Sequence, residues 1–207
     1  MSLWGRIFAA GYDRFMAGTE KAGLADRRRA LLADLHGRVL EIGGGTGANL
    51  PYYPAAVEEL VVTEPEEPMA RRLERKAQGA AMSVRVARAG AEALPFDDDS
   101  FDFAVSTLVL CTVADQPRAL AEIKRVLKPG GRLVFIEHVR ADGERLARWQ
   151  DRLNPLQQRI ACGCNCNRDT LAAIEAAGFE PQDVEHGRLP KAPPIVRPLV
   201  AGSAQRT

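Results

Sequence analysis

The chain has 207 residues, 46% of them apolar, which predicts one folded domain with one core. Its 28 basic and 27 acidic residues leave a net charge of +1, which argues against nucleic acid as the main partner. No apolar run approaches the roughly 18 residues of a membrane span, and the start lacks the apolar region of a secretory signal. Three of the four cysteines, Cys162, Cys164 and Cys166, are too crowded for a disulfide framework, so we expect a cytoplasmic location.

Helices and strands alternate along the predicted chain. A helical cap is expected over residues 1–35, and residues 36–207 are expected to complete a single domain. Strands are predicted at residues 37–42, 60–64, 84–87, 101–105, 132–136, 179–186 and 196–204. Helices are predicted to begin near residue 47 and to span residues 68–76, 116–127, 142–161 and 168–177, with a turn at 129–131. The alternation predicts an α/β fold in which a mainly parallel sheet carries helices on both faces.

The segment 41–47 follows the first predicted strand and is rich in glycine. It begins with Glu41, and a second acid, Glu64, ends the second predicted strand. Glycines let the backbone pass very close to a ligand, and the second acid can accept hydrogen bonds from both hydroxyls of a ribose. Strand, acid, glycine loop, helix, strand and acid together predict a site for an adenosine-containing cofactor.

The glycine loop alone fits two classes of cofactor. Gly43-x-Gly45-x-x-Ala48 matches the loop of dinucleotide-binding proteins, which holds a pyrophosphate at a helix N-terminus. Glu41-x-Gly43-x-Gly45-x-Gly47 matches the loop that binds S-adenosylmethionine, which has no phosphate but presents an ammonium, a carboxylate and a sulfonium. The choice between the two therefore depends on the rest of the chain.

Several segments in order resemble the class I S-adenosylmethionine-dependent methyltransferase family. They are VLEIGGGTG at 39–47, AEALPF at 91–96 with DSFD at 99–102, EIKRVLKPGG at 122–131, and the closing strand pair. The resemblance implies a seven-stranded Rossmann-like sheet whose last strand, near 196–204, is antiparallel. It covers residues 36 to about 205, and a dinucleotide enzyme would need more chain after residue 140 than is present.

The resemblance also implies which residues bind S-adenosylmethionine. The glycine loop would face the methionine part, Glu64 the ribose, and the positions after strands three and four the adenine edge and the sulfonium. The whole expected set is Tyr12, Glu41, Gly43, Gly44, Gly45, Gly47, Asn49, Glu64, Pro65, Met69, Ala91, Glu92, Thr107 and Leu108. Gly90 stands where the family often has an aspartate, so this chain lacks the side chain that usually contacts the adenine amino group.

A closer resemblance exists within the family. The segments GTGAN at 45–49, YYP at 52–54, TLVLCTV at 107–113, EHV at 137–139 and CNxxR at 164–168 carry it. They are similar to small methyltransferase-like proteins of animal endoplasmic reticulum and lipid droplets, associated with alkyl-thiol methylation, and to bacterial relatives. The resemblance implies methyl transfer to a small apolar acceptor, with a thiol favoured. Phospholipid N-methyltransferases and quinone C-methyltransferases share the general motifs, and a non-catalytic S-adenosylmethionine-binding regulator is a further alternative.

The need for a catalytic base depends on the acceptor. A thiol is partly ionised near neutral pH, whereas a hydroxyl or carbon acceptor needs a base. His138 is the catalytic candidate, because it ends predicted strand five and its ordinary pKa of about 6.5 suits proton removal. The alternative is that His138 only binds backbone groups, and that Glu137 pairs with an arginine. No metal is expected, since the alternate cysteine spacing is not that of a zinc site.

The N-terminal stretch carries Trp4, Ile7, Phe8 and Phe15 between basic residues. We expect it to cover the cofactor pocket; transient docking on a membrane surface is the alternative. The basic runs at 27–29 and 71–76 are interpreted as solvated helix faces. A small-molecule acceptor is the expected partner, and the oligomeric state is left open.

Overall fold

The computed structural model describes residues 3–161 and 163–207. Seven strands are present: β1 Gly37–Ile42, β2 Val57–Thr63, β3 Val84–Ala87, β4 Phe101–Thr107, β5 Leu127–His138, β6 Phe179–Arg188 and β7 Pro198–Arg206. Six α-helices are present: α1 Leu3–Thr19, α2 Ala25–Leu32, α3 Glu67–Ala77, α4 Gln116–Val126, α5 Glu144–Ile160 and α6 Thr170–Ala176. A π-helical turn, Glu20–Leu24, joins α1 to α2, and short 3-10 helices occur at Leu50–Tyr52 and Pro194–Val196. Among the described residues, no helix is both long and apolar enough to cross a membrane.

The sheet has the order β3-β2-β1-β4-β5-β7-β6. The pairs from β3 to β5 are parallel, and β7 is antiparallel to both of its neighbours. This confirms the predicted fold class, including the antiparallel last strand. The strand order reverses between β1 and β4, and ligands of such sheets bind beyond the carboxyl ends of the strands at that point.

Apolar side chains cover both faces of the sheet. Leu40 of β1 belongs to a buried cluster that contains Leu120 of α4, while Val39 belongs to another that contains Leu73 of α3. Successive side chains of a strand point to opposite faces, so the near-continuous apolar runs of β1 and β2 are those of strands buried on both sides. Helices therefore lie on both faces, as predicted.

Two predicted elements differ from the structure. Instead of a helix beginning near residue 47, the chain forms turns and then the 3-10 helix Leu50–Tyr52. Pro51 and Pro54 lack the N–H groups that an α-helix would need there. The turn predicted at 129–131 is an irregularity inside β5, where the register with β4 shifts between Phe101 and Phe103. A side chain at Gly131 would stand 3.0 Å from the Asp102 carbonyl oxygen, so this irregularity requires glycine.

Candidate active site

The glycine loop lies against the sheet and leaves one position open. A Cβ atom at Gly43, Gly44 or Gly47 would meet a neighbouring side chain at 2.7, 2.2 or 2.8 Å. A Cβ atom at Gly45 would meet nothing within 4 Å, and Gly45 has a φ of +57°. Three glycines are thus required for packing, whereas Gly45 presents bare backbone to free space. This is the geometry by which backbone approaches a ligand closely.

Glu64 lies beside this opening, directly after β2. Its Oε2 atom accepts a hydrogen bond from the Gly45 N–H at 2.8 Å, and its Oε1 atom accepts one from the Glu66 N–H at 2.9 Å. Burial raises the pKa of Glu64, and these two N–H groups oppose the rise. Each carboxylate oxygen can accept more than one hydrogen bond. Glu64 therefore retains capacity for two ligand hydroxyls.

Glu41 supports the loop from beneath. Its two oxygens accept hydrogen bonds from the Asn49 side-chain amide and from the Tyr53 hydroxyl, each at 2.8 Å. Burial raises the pKa of Glu41, and the same two donors oppose the rise. Through these two hydrogen bonds, the side chain of Glu41 fixes Asn49 and Tyr53 next to the glycine loop.

Arg28 of α2 connects the N-terminal helices to the glycine loop and to the end of β4. Its Nη1 atom donates to Asn49 Oδ1 at 2.8 Å and to Thr107 Oγ1 at 2.9 Å. Its Nη2 atom lies 3.1 Å from a carboxylate oxygen of Glu20, and its side chain is only 3% exposed. The expectation of a solvated face at 27–29 is therefore wrong for Arg28. The available signal was spacing, because Arg28 lies one helical turn from the buried Leu24 and Leu32.

The remaining predicted cofactor residues surround the same edge of the sheet. Tyr12 of α1 is half-buried; burial raises its pKa to about 12, and the charge of Arg28 opposes the rise. Met69 and Ala91 are buried, and Pro65 is exposed. Glu92 directs its carboxylate elsewhere, because it accepts a hydrogen bond from the Ala114 N–H at 2.8 Å.

The loop after β4 has an unusual anchor that the sequence did not indicate. Leu108 has a φ of +61°, in the left-handed region. Glu137 is fully buried, and its carboxylate holds this loop instead of pairing with an arginine. It accepts hydrogen bonds from the Ser106 hydroxyl at 2.6 Å and from three successive backbone N–H groups, those of Val109, Leu110 and Cys111, at 3.0, 3.1 and 3.3 Å.

His138, the predicted base, ends β5 opposite Leu199 of β7. Burial lowers its pKa to about 4, although backbone groups of Pro198 and Val196 oppose the shift. Its Nδ1 atom is buried and has no hydrogen-bond partner among the described residues. A ring with this pKa is neutral at physiological pH and is a weak base.

The cysteines show no metal-binding arrangement in the part of the chain that the structure describes. Cys111 and Cys164 are buried free thiols whose Sγ atoms lie 3.8 Å apart, and Cys162 lies outside the described residues. Burial also raises the pKa of Cys166 to about 11.

An apolar cluster lies on the His138 side of the sheet. Its members come from the π-helical turn, from the ends of β5 and β7 and from the segments before them. They are Leu24, Ile136, Cys166, Leu189, Ala192, Val196, Leu199 and Ala201, with Met16, Leu31, Leu108 and Ile195 partly buried against them. We call these residues the third cluster. It includes Leu108, so buried apolar side chains adjoin the predicted sulfonium position.

Together, the open space beside Gly45, the remaining acceptor capacity of Glu64 and the seven-stranded sheet fit S-adenosylmethionine and define an S-adenosylmethionine-dependent methyltransferase. A family model described as a methyltransferase domain matches residues 40–135. Thiol S-methyltransferase TMT1A of Homo sapiens is 34% identical over 87% of this chain and 79% of that protein. The chain therefore belongs to the methyltransferase family that includes this enzyme.

Other similar proteins agree on the family and differ in acceptor. Thiol S-methyltransferase TMT1B of Rattus norvegicus is 36% identical over 71% of this chain and 62% of that protein. The C-methyltransferase UbiE of ubiquinone and menaquinone biosynthesis from Marinomonas sp. is 36% identical, over 55% of this chain and 47% of that protein. The crystal structure of an S-adenosylmethionine-dependent methyltransferase from Thermotoga maritima superposes with a TM-score of 0.74. The two sequences are 25% identical, and the match covers 99% of this chain and 98% of the Thermotoga maritima chain.

Proposed function

We propose that this methyltransferase transfers the methyl group of S-adenosylmethionine to the sulfur of a small apolar thiol. The observation that carries the proposal is the 34% identity to a thiol S-methyltransferase over most of both chains. The quinone C-methyltransferase has similar identity but aligns with only 55% of this chain. Its similarity therefore supports S-adenosylmethionine as the cofactor more than it supports a quinone as the acceptor.

The proposed cofactor contacts follow from the hydrogen bonds already made. When bound, S-adenosylmethionine supplies a methyl group on a positively charged sulfur. Glu64, held by two backbone N–H groups, would accept hydrogen bonds from the ribose hydroxyls. Gly45 would bring its backbone against the methionine part, and the Glu41–Asn49–Arg28 network would keep the loop in place. Tyr12 would cover the site from α1.

The surroundings of the acceptor favour a thiol. The third cluster places apolar side chains next to Leu108, and an apolar acceptor packed against them would be removed from water. His138 is a weak base because burial lowers its pKa to about 4. A hydroxyl acceptor needs a stronger base than this, whereas a thiol supplies its own thiolate. A dry apolar site also makes a thiolate more reactive by removing its hydration.

The test uses S-adenosylmethionine labelled in the methyl group, the purified protein, and a thiol and an alcohol with the same carbon skeleton. We expect label in the thioether only. The rate at low thiol concentration should rise with pH along the ionisation of the thiol that is used, which for a cysteine side chain has a pKa of about 8.5. An aromatic thiol, whose pKa is lower, should shift the midpoint of the pH profile downward by the same difference.

Three results would contradict the thiol proposal. Equal labelling of the alcohol would require a base in the site. A pH midpoint that stays constant across thiols would mean that a group of the protein controls the reaction. Label only in quinone precursors, added in a parallel reaction, would favour the alternative quinone C-methyltransferase activity that the UbiE similarity suggests.

A further inference from the structure

Helix α5 is attached to the protein by polar side chains. Its buried positions are Ala147, Gln150 and Asn154. The Gln150 side-chain amide donates to the carbonyl oxygens of Val139 and Cys166 at 3.1 and 2.7 Å. Asn154 Oδ1 accepts a hydrogen bond from the Cys166 N–H at 3.0 Å. The inner face therefore consists of small and amide side chains, which is the reverse of an ordinary surface helix.

The apolar side chains of α5 instead form a stripe on its outer side. Trp149, Leu156 and Ile160 are 51%, 57% and 51% exposed, and Leu146 and Leu153 are partly exposed. Positions 146, 149, 153, 156 and 160 are spaced by three or four residues, so they lie on one face of the helix. We call these five residues the α5 stripe. A contiguous apolar surface of this kind marks a binding surface.

A row of arginines borders the stripe. Three exposed arginines each lie three or four residues from a member of the stripe: Arg145, Arg152 and Arg159. Arg148 lies farther round the helix, 3.9 Å from a carboxylate oxygen of Glu144. Asp151, the acid in the middle of the helix, is engaged by Arg140 at 2.5 Å. The border of the stripe is therefore cationic, and its natural complement is an anionic surface that also has an apolar interior.

The helix is also close to the apolar side of the site. Gln150 donates to the carbonyl oxygen of Ile195 at 3.0 Å. Both Ile195 and Cys166 belong to the third cluster, which also contains Leu108. A surface that contacts the α5 stripe would therefore be separated from the proposed acceptor region by α5 and the side chains beneath it.

We propose that the α5 stripe docks the protein on the surface of an anionic phospholipid bilayer. The stripe enters the boundary between headgroups and acyl chains, and the arginine row contacts the lipid phosphates. Interfacial helices have this combination of Trp and Leu on one side and Arg beside it. The site is distinct from the N-terminal stretch, and the proposal does not depend on which acceptor is methylated.

The test uses flotation with vesicles of phosphatidylcholine alone and of phosphatidylcholine with phosphatidylglycerol. Because the chain contains two tryptophans, a Trp4→Phe background makes Trp149 the only tryptophan reporter. We expect flotation with the anionic vesicles and a blue shift of Trp149 emission. The double variant Leu156→Gln, Ile160→Gln should bind at least roughly tenfold more weakly, through lost apolar burial. Arg152→Gln with Arg159→Gln should remove the preference for anionic vesicles.

A matched control lies on α3, where Arg71 and Arg75 are exposed. Arg71→Gln with Arg75→Gln removes the same charge away from the stripe and should leave flotation unchanged. The substituted α5 side chains are exposed, so unchanged thermal unfolding by circular dichroism would show that the variants fold.

Other results would overturn the proposal. Unchanged flotation of the Leu156→Gln, Ile160→Gln variant would move membrane contact to another segment, such as the N-terminal stretch. An equal loss of flotation in the α3 control would mean that the protein responds to its total positive charge and not to the arginines beside the stripe. A stripe variant that lowers the molecular mass in sedimentation velocity, with wild-type protein absent from the vesicles, would make the stripe an interface between copies of this chain.

Discussion

Glu64 and Glu137 are both buried carboxylates at the carboxyl edge of one sheet, yet their oxygens are used differently. Glu64 accepts one backbone N–H on each oxygen. Glu137 accepts four donors, three of them successive backbone N–H groups. A carboxylate with few partners beside open space is suited to a ligand, whereas one with many partners fixes backbone. The number of unused lone pairs separates the two roles better than burial does.

The largest effect is expected at Glu137. In Glu137→Gln, an amide NH₂ replaces one oxygen and faces N–H or O–H donors, which leaves buried donors without an acceptor. We expect a loss of about 3 kcal/mol in the free energy of unfolding, measured by urea denaturation. Affinity for S-adenosylmethionine should fall as well, because the loop of Leu108 loses its anchor.

The control for Glu137 is Glu59→Gln. Glu59 pairs with Arg38 at 2.8 Å, and its side chain is 41% exposed. Such surface pairs contribute about 0–1 kcal/mol, so this variant should unfold at nearly the wild-type urea concentration. Equal losses in both variants would mean that Glu137 is not a special anchor.

We expect the pH dependence of the free energy of unfolding to show the lowered pKa of His138. Its folded-state pKa of about 4 lies below the ordinary 6.5, so the unfolded chain binds the proton more readily. The stability that neutral His138 contributes is fully present above pH 6.5 and is lost as the pH falls toward 4. The expected loss is about 3 kcal/mol over that window.

The measurement compares wild type with His138→Asn at each pH. Burial raises the pKa of Glu41, Glu64 and Glu137, and these groups contribute the opposite slope in both proteins. The difference between the two curves isolates His138. A difference that does not change between pH 7 and pH 4 would mean that this ring is protonated as easily as in the unfolded chain.

At Glu64 we expect a loss of binding without a loss of fold. Glu64→Gln keeps one oxygen but removes the charge and part of the acceptor capacity. Affinity for S-adenosylmethionine, measured by calorimetry, should weaken by about 1.5–3 kcal/mol, the range for hydrogen bonds to charged groups. Glu66→Gln is the matched control, because Glu66 is exposed and only its backbone N–H contacts Glu64. Unchanged affinity in Glu64→Gln would remove this residue from the proposed site.

The comparison also explains what the sequence could predict. The glycine loop and Glu64 are close in the chain, and their proposed roles follow from a local pattern of strand, acid and glycine. The mainly parallel sheet was predictable because helices and strands alternate along the chain, whereas the antiparallel last strand was implied by the family resemblance. Glu137 reaches partners 26–31 residues away, so nothing near it in the sequence indicates its role. The number of hydrogen bonds that Glu64 and Glu137 accept depends on tertiary contacts, which a local sequence pattern does not show.

The smallest effect is expected at Arg28. A substitution there tests whether the N-terminal helices α1 and α2 influence the site. Arg28 contacts Asn49 and Thr107, which are 21 and 79 residues away in the chain. Arg28→Lys keeps the charge but has no planar fork, so it cannot hold both acceptors together with Glu20. We expect a weakening of S-adenosylmethionine binding by about 1 kcal/mol, the value of one hydrogen bond. Arg29→Lys, at a side chain 62% exposed that pairs only with Asp26 among the ion pairs described, should bind like wild type. If the two lysine variants bind S-adenosylmethionine with the same affinity, helices α1 and α2 pack beside the site without affecting cofactor binding.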